Sequence, residues 1–515
     1  MKNTTGIRIH PGAERARDID WYEWGRHPFG VAKAERKPVL LAISGVWCHW
    51  CHVMDQTTYS DPEVIRLINE RFVPIRVDTD MRPDINDRYN MGGWPTTAIL
   101  TPDGTAIAGA TYIPPRGMTE WLNRVLKAYP AALRVVESEV APDTETDGDT
   151  DKVDRFGFNP SRGVIRDILG AVVAAFDREH GGFGRAPKFP MTDAIDAVIG
   201  AYVRDREPLY REIFAKTIEA MTGGGTYDHV EGGLFRYSTN RDWSVPHFEK
   251  MLLDNSLLLA VLVRANAASP DPLYPRVASD IVRYLNATLF MPVWNGWAGS
   301  QDADEEYYLL PLEERVRVKP PSVDRTLYVD LNGIGAQGMI KAGQAFERTD
   351  WIKRGIAVLE SIFEKCFSPD RGLAHFFDGE AHVWGLAHDL ISVGAACLAA
   401  HGATGESVWI GRSAALADRL IANYAAADAG FYSRFADPED PPALARPVRN
   451  FAENAYAAVW LVNIGASVGD RRYRNSAHSA LAYCDSVYEE YGIHAAPYAL
   501  ALEAYLAQVG APEGM

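Results

Sequence analysis

The chain has 515 residues, more than one ordinary hydrophobic core holds, and two domains are expected. Its composition, 47% hydrophobic and 23% charged, is that of a globular chain rather than a disordered or fibrous one. A formal net charge of −16 disfavours non-specific binding to nucleic acid or to an anionic membrane surface, and no basic stripe offsets it. No stretch is apolar for long enough to span a bilayer, and Met1 to His10 is too polar for a signal peptide, so a cytoplasmic protein is predicted. Of five cysteines, Cys366, Cys397 and Cys484 sit in apolar, helical surroundings and read as core thiols, which fits a reducing compartment rather than a disulfide framework.

In chain order, Trp21, Tyr22 and Trp24 read as packing anchors of an N-terminal strap, and Asp18 to Lys37 carries a helix. Pro38 to Ile43 is a continuous apolar run and predicts a buried strand. It leads into Val46-Trp47-Cys48-His49-Trp50-Cys51-His52, after which Val64, Leu67 and Ile68 give helical spacing within Val53 to Phe72. Strand, two cysteines and helix is the order a thioredoxin-like redox site needs. A thiol in the first turn of a helix lies beside unpaired N–H groups and the positive end of the dipole, which favours thiolate. Cys48 is therefore the candidate nucleophile, with Cys51 one turn on as the resolving thiol and His52 and His49 as sources of positive charge or a proton.

Three other readings fit the same residues. C-x-x-C-H is also a haem attachment pattern, but that chemistry belongs to exported chains. Two cysteines and two histidines offer zinc ligands, yet five residues do not easily surround one tetrahedral ion and no second C-x-x-C completes a site. An inert pair of core thiols is the third. The redox reading is preferred, and no metal and no cofactor are assigned.

Phe72 to Asp78 predicts the next strand, and Pro95 stands just ahead of another, Thr96 to Leu100. An X-Pro bond is the one place where a cis peptide costs little, and a cis-proline here would lie against the dithiol and shape a substrate groove. Thr101-Pro102-Asp103-Gly104 reads as a hairpin turn, and Trp121, Leu122, Val125 and Leu126 mark a closing helix. Glu137 to Asp154 holds eight carboxylates and one lysine, too polar to order itself by burial, and reads as a linker. The expected domains are thus 1–136 and 155–515, with the linker at 137–154.

Beyond the linker the pattern becomes almost wholly helical. Twelve apolar-periodic segments fall near 162–179, 191–203, 208–222, 247–267, 273–290, 332–347, 350–366, 386–401, 407–425, 451–467, 470–487 and 495–508. A loop signature of glycine followed by an aromatic or leucine recurs at Gly182, Gly233, Gly296, Gly372 and Gly430. Repeated helical hairpins with long loops at one end predict a closed α/α toroid of six hairpins.

These motifs resemble the thioredoxin-domain family of spermatogenesis-associated protein 20 and YyaL. The matches are Asp20-Trp21-Tyr22-Glu23-Trp24, Cys48-His49-Trp50-Cys51-His52-Val53-Met54, Val77-Asp78 with Arg82-Pro83-Asp84, and Gly92-Gly93-Trp94-Pro95. The second half adds Ala186-Pro187-Lys188-Phe189-Pro190, Arg236-Tyr237-Ser238, Val245-Pro246-His247-Phe248-Glu249-Lys250-Met251-Leu252 and Asp302-Ala303-Asp304. The resemblance implies an α/β thioredoxin-like N-terminal domain fused to an all-α (α/α)6 toroid, like that of six-hairpin glycosidases and N-acylglucosamine 2-epimerases. It implies little about activity. This chain departs from the family in three places: Leu40 to Ile43 lacks the buried acid common in thioredoxins, Ile85 to Met91 is short, and the segment after Asp304 is short.

If the long loops share one rim, Arg185, Lys188, Asp228, His229, Arg236, His247, Glu249, Asp302 and Asp304 converge on a ligand there. Carboxylates and histidine can serve as acid and base while aromatics stack on a sugar face, with Asp302 and Asp304 or Asp228 and Glu249 as the pair and His247 moving a proton. The same residues can instead knit the loops together as a buried ion network. His388-Asp389 is a second candidate pair, whose Asp also suits a plain helix start. The expected function is a thiol-disulfide oxidoreductase acting on a protein disulfide, with a toroid that binds a small molecule, a sugar among them, or a partner. The alternatives are a carbohydrate-acting protein with a regulatory dithiol and a non-catalytic scaffold.

Overall fold

The computed structural model describes residues 6–139, 158–435, 444 and 448–509. They form two units, Met1–Thr150 with Ala436–Val448, and Asp151–Phe435 with Arg449–Met515. The acidic linker expected at 137–154 begins inside a helix that runs to Glu139, and its remainder lies outside the described residues. Leu444, expected in the toroid, is buried in the core of the first unit.

The first unit runs α1 (Arg26–Glu35), β1 (Val39–Ser44), α2 (His49–Gln56), α3 (Pro62–Arg71), β2 (Val73–Asp78), α4 (Pro83–Tyr89), β3 (Thr96–Leu100), β4 (Ala106–Ala110) and α5 (Pro115–Glu139). The sheet order is β2-β1-β3-β4; β1 and β2 are parallel, and β3 pairs antiparallel with both β1 and β4. Every residue of β1, β2 and β3 is buried, which explains why β1 reads as an unbroken apolar run rather than an alternation. Leu40, Ala42 and Ile99 pack with Met54, Val64, Ile68 and Leu122 of α2, α3 and α5 on one face; Leu41, Ile43 and Val77 pack with Phe29, Ile85 and Tyr89 of α1 and α4 on the other.

The helical segment expected over Val53 to Phe72 is two helices. Asp61 starts the second by accepting the N–H groups of Glu63 and Val64 at 2.9 and 3.1 Å, with Pro62 in the first helical position, where it needs no donor.

All twelve helices expected in the second unit are present. They are α6 (Arg162–Ala175), α7 (Thr192–Asp205), α8 (Pro208–Gly223), α9 (Leu252–Ala268) and α10 (Leu273–Tyr284); then, after the short α11 (Glu305–Tyr308) and α12 (Leu312–Arg315), α13 (Val329–Ala345), α14 (Thr349–Lys365), α15 (Ala387–Thr404), α16 (Ser407–Tyr424), α17 (Phe451–Val468), α18 (Arg471–Val487) and α19 (Ala496–Val509). Helices α7, α9, α13, α15, α17 and α19 each pack on the next, and α19 returns to α7, closing an inner ring. Helices α8, α10, α14, α16 and α18 each back the inner helix just before them, while α6 backs α19. Burial follows the layers: α17 buries residues all round, whereas α14 buries a stripe of Trp351, Gly355, Val358, Leu359 and Ile362.

Each glycine loop runs from an outer helix to the next inner one, so the loops gather at the N-terminal ends of the inner helices. Three buried asparagines pin them. The Oδ1 atoms of Asn255, Asn332 and Asn454 accept the N–H of Leu234, Trp297 and Phe431, each at 2.7 Å, and the Nδ2 atoms donate to the carbonyls of the same residues at 3.1, 2.9 and 2.9 Å. Short paired strands at Pro246–His247 and Lys250–Met251 delay α9 to Leu252, five residues later than its apolar pattern begins.

Candidate functional site

Cys48 is the N-cap residue of α2, in extended backbone, and its Sγ accepts the Cys51 N–H at 3.3 Å. Its thiol thus shares the Cys51 N–H with the Cys48 carbonyl, which accepts it at 3.0 Å, at the positive end of the dipole. Both thiols are free and nearly buried, Cys48 at 5% exposure and Cys51 at 2%. Burial, reinforced by the neighbouring Cys48 sulfur, raises the Cys51 thiol well above its ordinary value, with Arg76 pulling the other way. Pro95 is buried behind a cis Trp94–Pro95 bond and directly precedes Thr96, which pairs with Ile43 at the end of β1 where the dithiol loop departs. Trp47 and Trp94, one from each loop, meet edge to face at 5.6 Å, and Trp47 Nε1 donates to Asp80 at 2.7 Å.

The buried acid missing from β1 is supplied elsewhere. Asp55, one turn beyond Cys51, takes two hydrogen bonds from Arg76 of β2, at 2.8 and 2.7 Å. The sequence reading missed this pair, although an acid four residues after a helical cysteine and a lone arginine inside an apolar strand were its signals. His52, expected to handle protons, donates from Nε2 to the Val46 carbonyl at 2.6 Å and its ring lies 4.2 Å from that of His10.

In the second unit the expected ligand residues divide. Lys188 and Asp228 are both buried in ion pairs that lock the loops, as in the network reading of these residues. Asp177 and Asp228 each open a loop in which Gly-Gly begins four residues later. Lys188 Nζ binds Asp177 at 2.7 Å and the Gly181 carbonyl, and Lys250 Nζ binds Asp228 and the Gly232 carbonyl in the same way. Arg241 completes the first lock at 2.8 Å and Arg315 the second at 2.8 Å. Against the cost of burial, these cations hold both carboxylates below their ordinary values.

Asp304 caps α11 through the Tyr307 N–H at 2.9 Å, and Asp302 accepts from Ala303 N and Ser322 Oγ. Arg185 and His229 are exposed. His247 and Glu249 do meet: Nδ1 donates to the two carboxylate oxygens at 2.7 and 2.9 Å. Burial opposes it, yet His247 and Arg236 hold the Glu249 carboxylate below its ordinary value. The His247 ring stacks on Tyr237 at 4.7 Å, and Tyr237 on Phe189 at 4.7 Å. Burial raises nearby Asp254 to about 6.

A second group was only partly foreseen. His388 and Asp389, in the first turn of α15, are joined by Asp330 from α13, His375 from the strand Gly372–Phe377 and Glu453 from α17. His375 Nδ1 meets Asp389 Oδ1 at 3.0 Å and His388 Nδ1 meets Glu453 Oε1 at 3.0 Å. One atom each from Asp330, His375, His388 and Asp389 lies within 4.8 Å of the others. Further round, Tyr456 Oη donates to Asp193 of α7 at 2.8 Å.

Fold and dithiol geometry define a thioredoxin-like domain followed by an (α/α)6 toroid of the six-hairpin glycosidase kind. Residues 13–145 match the thioredoxin DsbH family model, described as a protein of unknown function, DUF255. The chain is 32% identical to spermatogenesis-associated protein 20 of Homo sapiens over 313 residues, 56% of this chain and 39% of that protein. It is 36% identical to an uncharacterised protein of Caenorhabditis elegans over 313 residues, 56% of this chain and 41% of the other. The family likeness read from the motifs is thus borne out, and the chain spans less than half the length of these relatives. Among solved structures, a sugar epimerase from a ruminal bacterium superposes with a TM-score of 0.55 at 14% identity, covering 68% of this chain and 99% of its own. A D-mannose isomerase does so with 0.54 at 10%, covering 68% and 98%. At such identities the likeness extends to the fold. No helix among the described residues is long and apolar enough to cross a membrane.

Proposed function

We propose that the protein is a thiol-disulfide oxidoreductase that reduces a disulfide through Cys48 and Cys51. The observation that carries this reading is the Cys48 sulfur at the N-cap of α2, accepting the Cys51 N–H at 3.3 Å. As a thiolate, Cys48 attacks one sulfur of the substrate disulfide, forming a mixed disulfide and expelling the other sulfur as a thiolate. Cys51 then loses its proton and attacks Cys48 Sγ. A Cys48–Cys51 disulfide forms, and the substrate leaves with two electrons and, after protonation, as two thiols. Burial keeps Cys51 protonated until then, which suits a resolving thiol that stays silent before the mixed disulfide exists. Pro95, behind its cis bond, and the exposed Trp50 would flank the substrate chain.

The test uses a protein disulfide as substrate. Cys48→Ser should abolish reduction and trap nothing, while Cys51→Ser should accumulate a stable mixed disulfide at Cys48. Wild-type turnover in both variants would end the proposal.

A second reading rests on His247 and Glu249. An imidazole oriented by a buried carboxylate beside a stack of aromatic rings is suited to proton transfer on a polyol, so the toroid would bind a sugar. A thermal-shift screen of sugars and sugar phosphates should give a hit that His247→Ala removes and Cys48→Ser leaves intact; an empty screen counts against it.

A further inference from the structure

We propose that Asp330, His375, His388 and Asp389 form a binding site for a divalent cation of the zinc type within the toroid. The four come from three separate elements, yet their ligand atoms converge. His375 Nδ1 lies 3.0 Å from Asp389 Oδ1 and 3.9 Å from Asp330 Oδ1, and His388 Nε2 lies 3.6 Å from Asp330 Oδ2 and 4.0 Å from Asp389 Oδ1. A tetrahedral ion bound at about 2.0–2.1 Å sets its ligands about 3.3–3.4 Å apart, so small side-chain rotations complete the shell.

Three observations point to a cation rather than to a self-contained ion network. First, Asp330 Oδ1, His388 Nε2 and Asp389 Oδ2 are buried with no hydrogen-bond partner, and the Asp389 side chain is 0% exposed. Leaving one such group unpaired costs about 1–3 kcal/mol, and a single ion would satisfy all three. Second, among the described residues, Asp330, Asp389 and Glu453 have ion-pair contacts only with His375 and His388, and no lysine or arginine reaches them. Third, Glu453 holds His388 Nδ1 at 3.0 Å, which turns Nε2 toward the cluster. A carboxylate behind a ligating histidine fixes the tautomer and orientation that metal binding needs. Two imidazoles and two carboxylates favour zinc over magnesium or calcium, which take oxygen ligands, and over copper(I), which takes sulfur.

The test uses the full chain, stripped with a chelator, re-equilibrated with Zn²⁺ and gel-filtered before metal analysis. About one ion per chain should remain on the wild type and on Cys48→Ser/Cys51→Ser. Retention should fall at least tenfold in His388→Gln and Asp389→Asn, with a weaker loss, about 10–100-fold in affinity, in Glu453→Gln. Co²⁺ should give the visible bands of a tetrahedral site in the wild type alone. If Asp389→Asn fails to fold by circular dichroism, Asp330→Asn, at a partly exposed position, takes its place. The proposal is overturned if folded wild type retains no ion, if the ligand variants retain it fully, or if the cysteine double variant loses it, which would place the ion at the dithiol.

Discussion

Arg76 of β2 grips Asp55 of α2 with two hydrogen bonds, at 2.8 and 2.7 Å, and each side chain is 3% exposed. The guanidinium also lies 5.6 Å from the Trp21 ring and 6.0 Å from that of Tyr59. A buried pair adds little over a well-packed apolar pair, but half of one is costly. Arg76→Met should therefore destabilise the protein by about 3–5 kcal/mol, and adding Asp55→Leu should restore much of that. Urea denaturation of the two variants decides it; a single-variant loss under about 1 kcal/mol would mean that water reaches Asp55.

Thiol labelling should be strongly ordered. Burial raises Cys51, Cys366, Cys397 and Cys484 alike, Cys366 and Cys397 to about 12. Native protein treated with iodoacetamide at neutral pH should be alkylated at Cys48 first, and native Cys48→Ser should take up almost none. Mass spectrometry reads the order, and Cys51 ahead of Cys48 would contradict the roles assigned to them.

The asparagine pins should be energetically dear. Asn332→Ala leaves the N–H and carbonyl of fully buried Trp297 without their partner. Each orphaned group costs about 1–3 kcal/mol, so a clear fall in melting temperature is expected, matched by Asn454→Ala at Phe431. No change in either variant would show that water replaces the side chain.

Stability should depend on pH through Asp193. Burial raises this carboxyl from 3.8 to about 6, and the Tyr456 hydroxyl opposes the rise. The folded state thus binds the proton more tightly than the unfolded one, so the group's contribution is full below about pH 4 and is lost as pH climbs through about 6. Asp193→Asn should flatten the melting curve against pH across that window, and Tyr456→Phe should shift the window upward. Parallel profiles for all three proteins would refute the assignment.

The fold was legible where burial imposes a period. Twelve helices and the strand–dithiol–helix order followed from apolar spacing and the Cys48–Cys51 motif. What escaped were relationships between distant positions. Asp330, His375, His388 and Glu453 meet only once the ring has brought the first turns of α13, α15 and α17 together, and no local pattern records that. The buried-network reading of Lys188 was legible, but its partner was not: Asp177 stands eleven residues back, outside the expected set of carboxylates. The break at Asp61-Pro62 was written in the sequence as a helix start, but the apolar spacing masked it.

Helix α6 is the first of the toroid to be translated, and the helix it rests on, α19, is the last. Ribosomal synthesis therefore cannot finish the annulus before residues 496–509 emerge, and until then the apolar sides of α6 and α7 that α19 will cover stand open. Open apolar surface of this kind makes incomplete chains aggregation-prone, and a premature stop near the end would leave a gapped, sticky crescent.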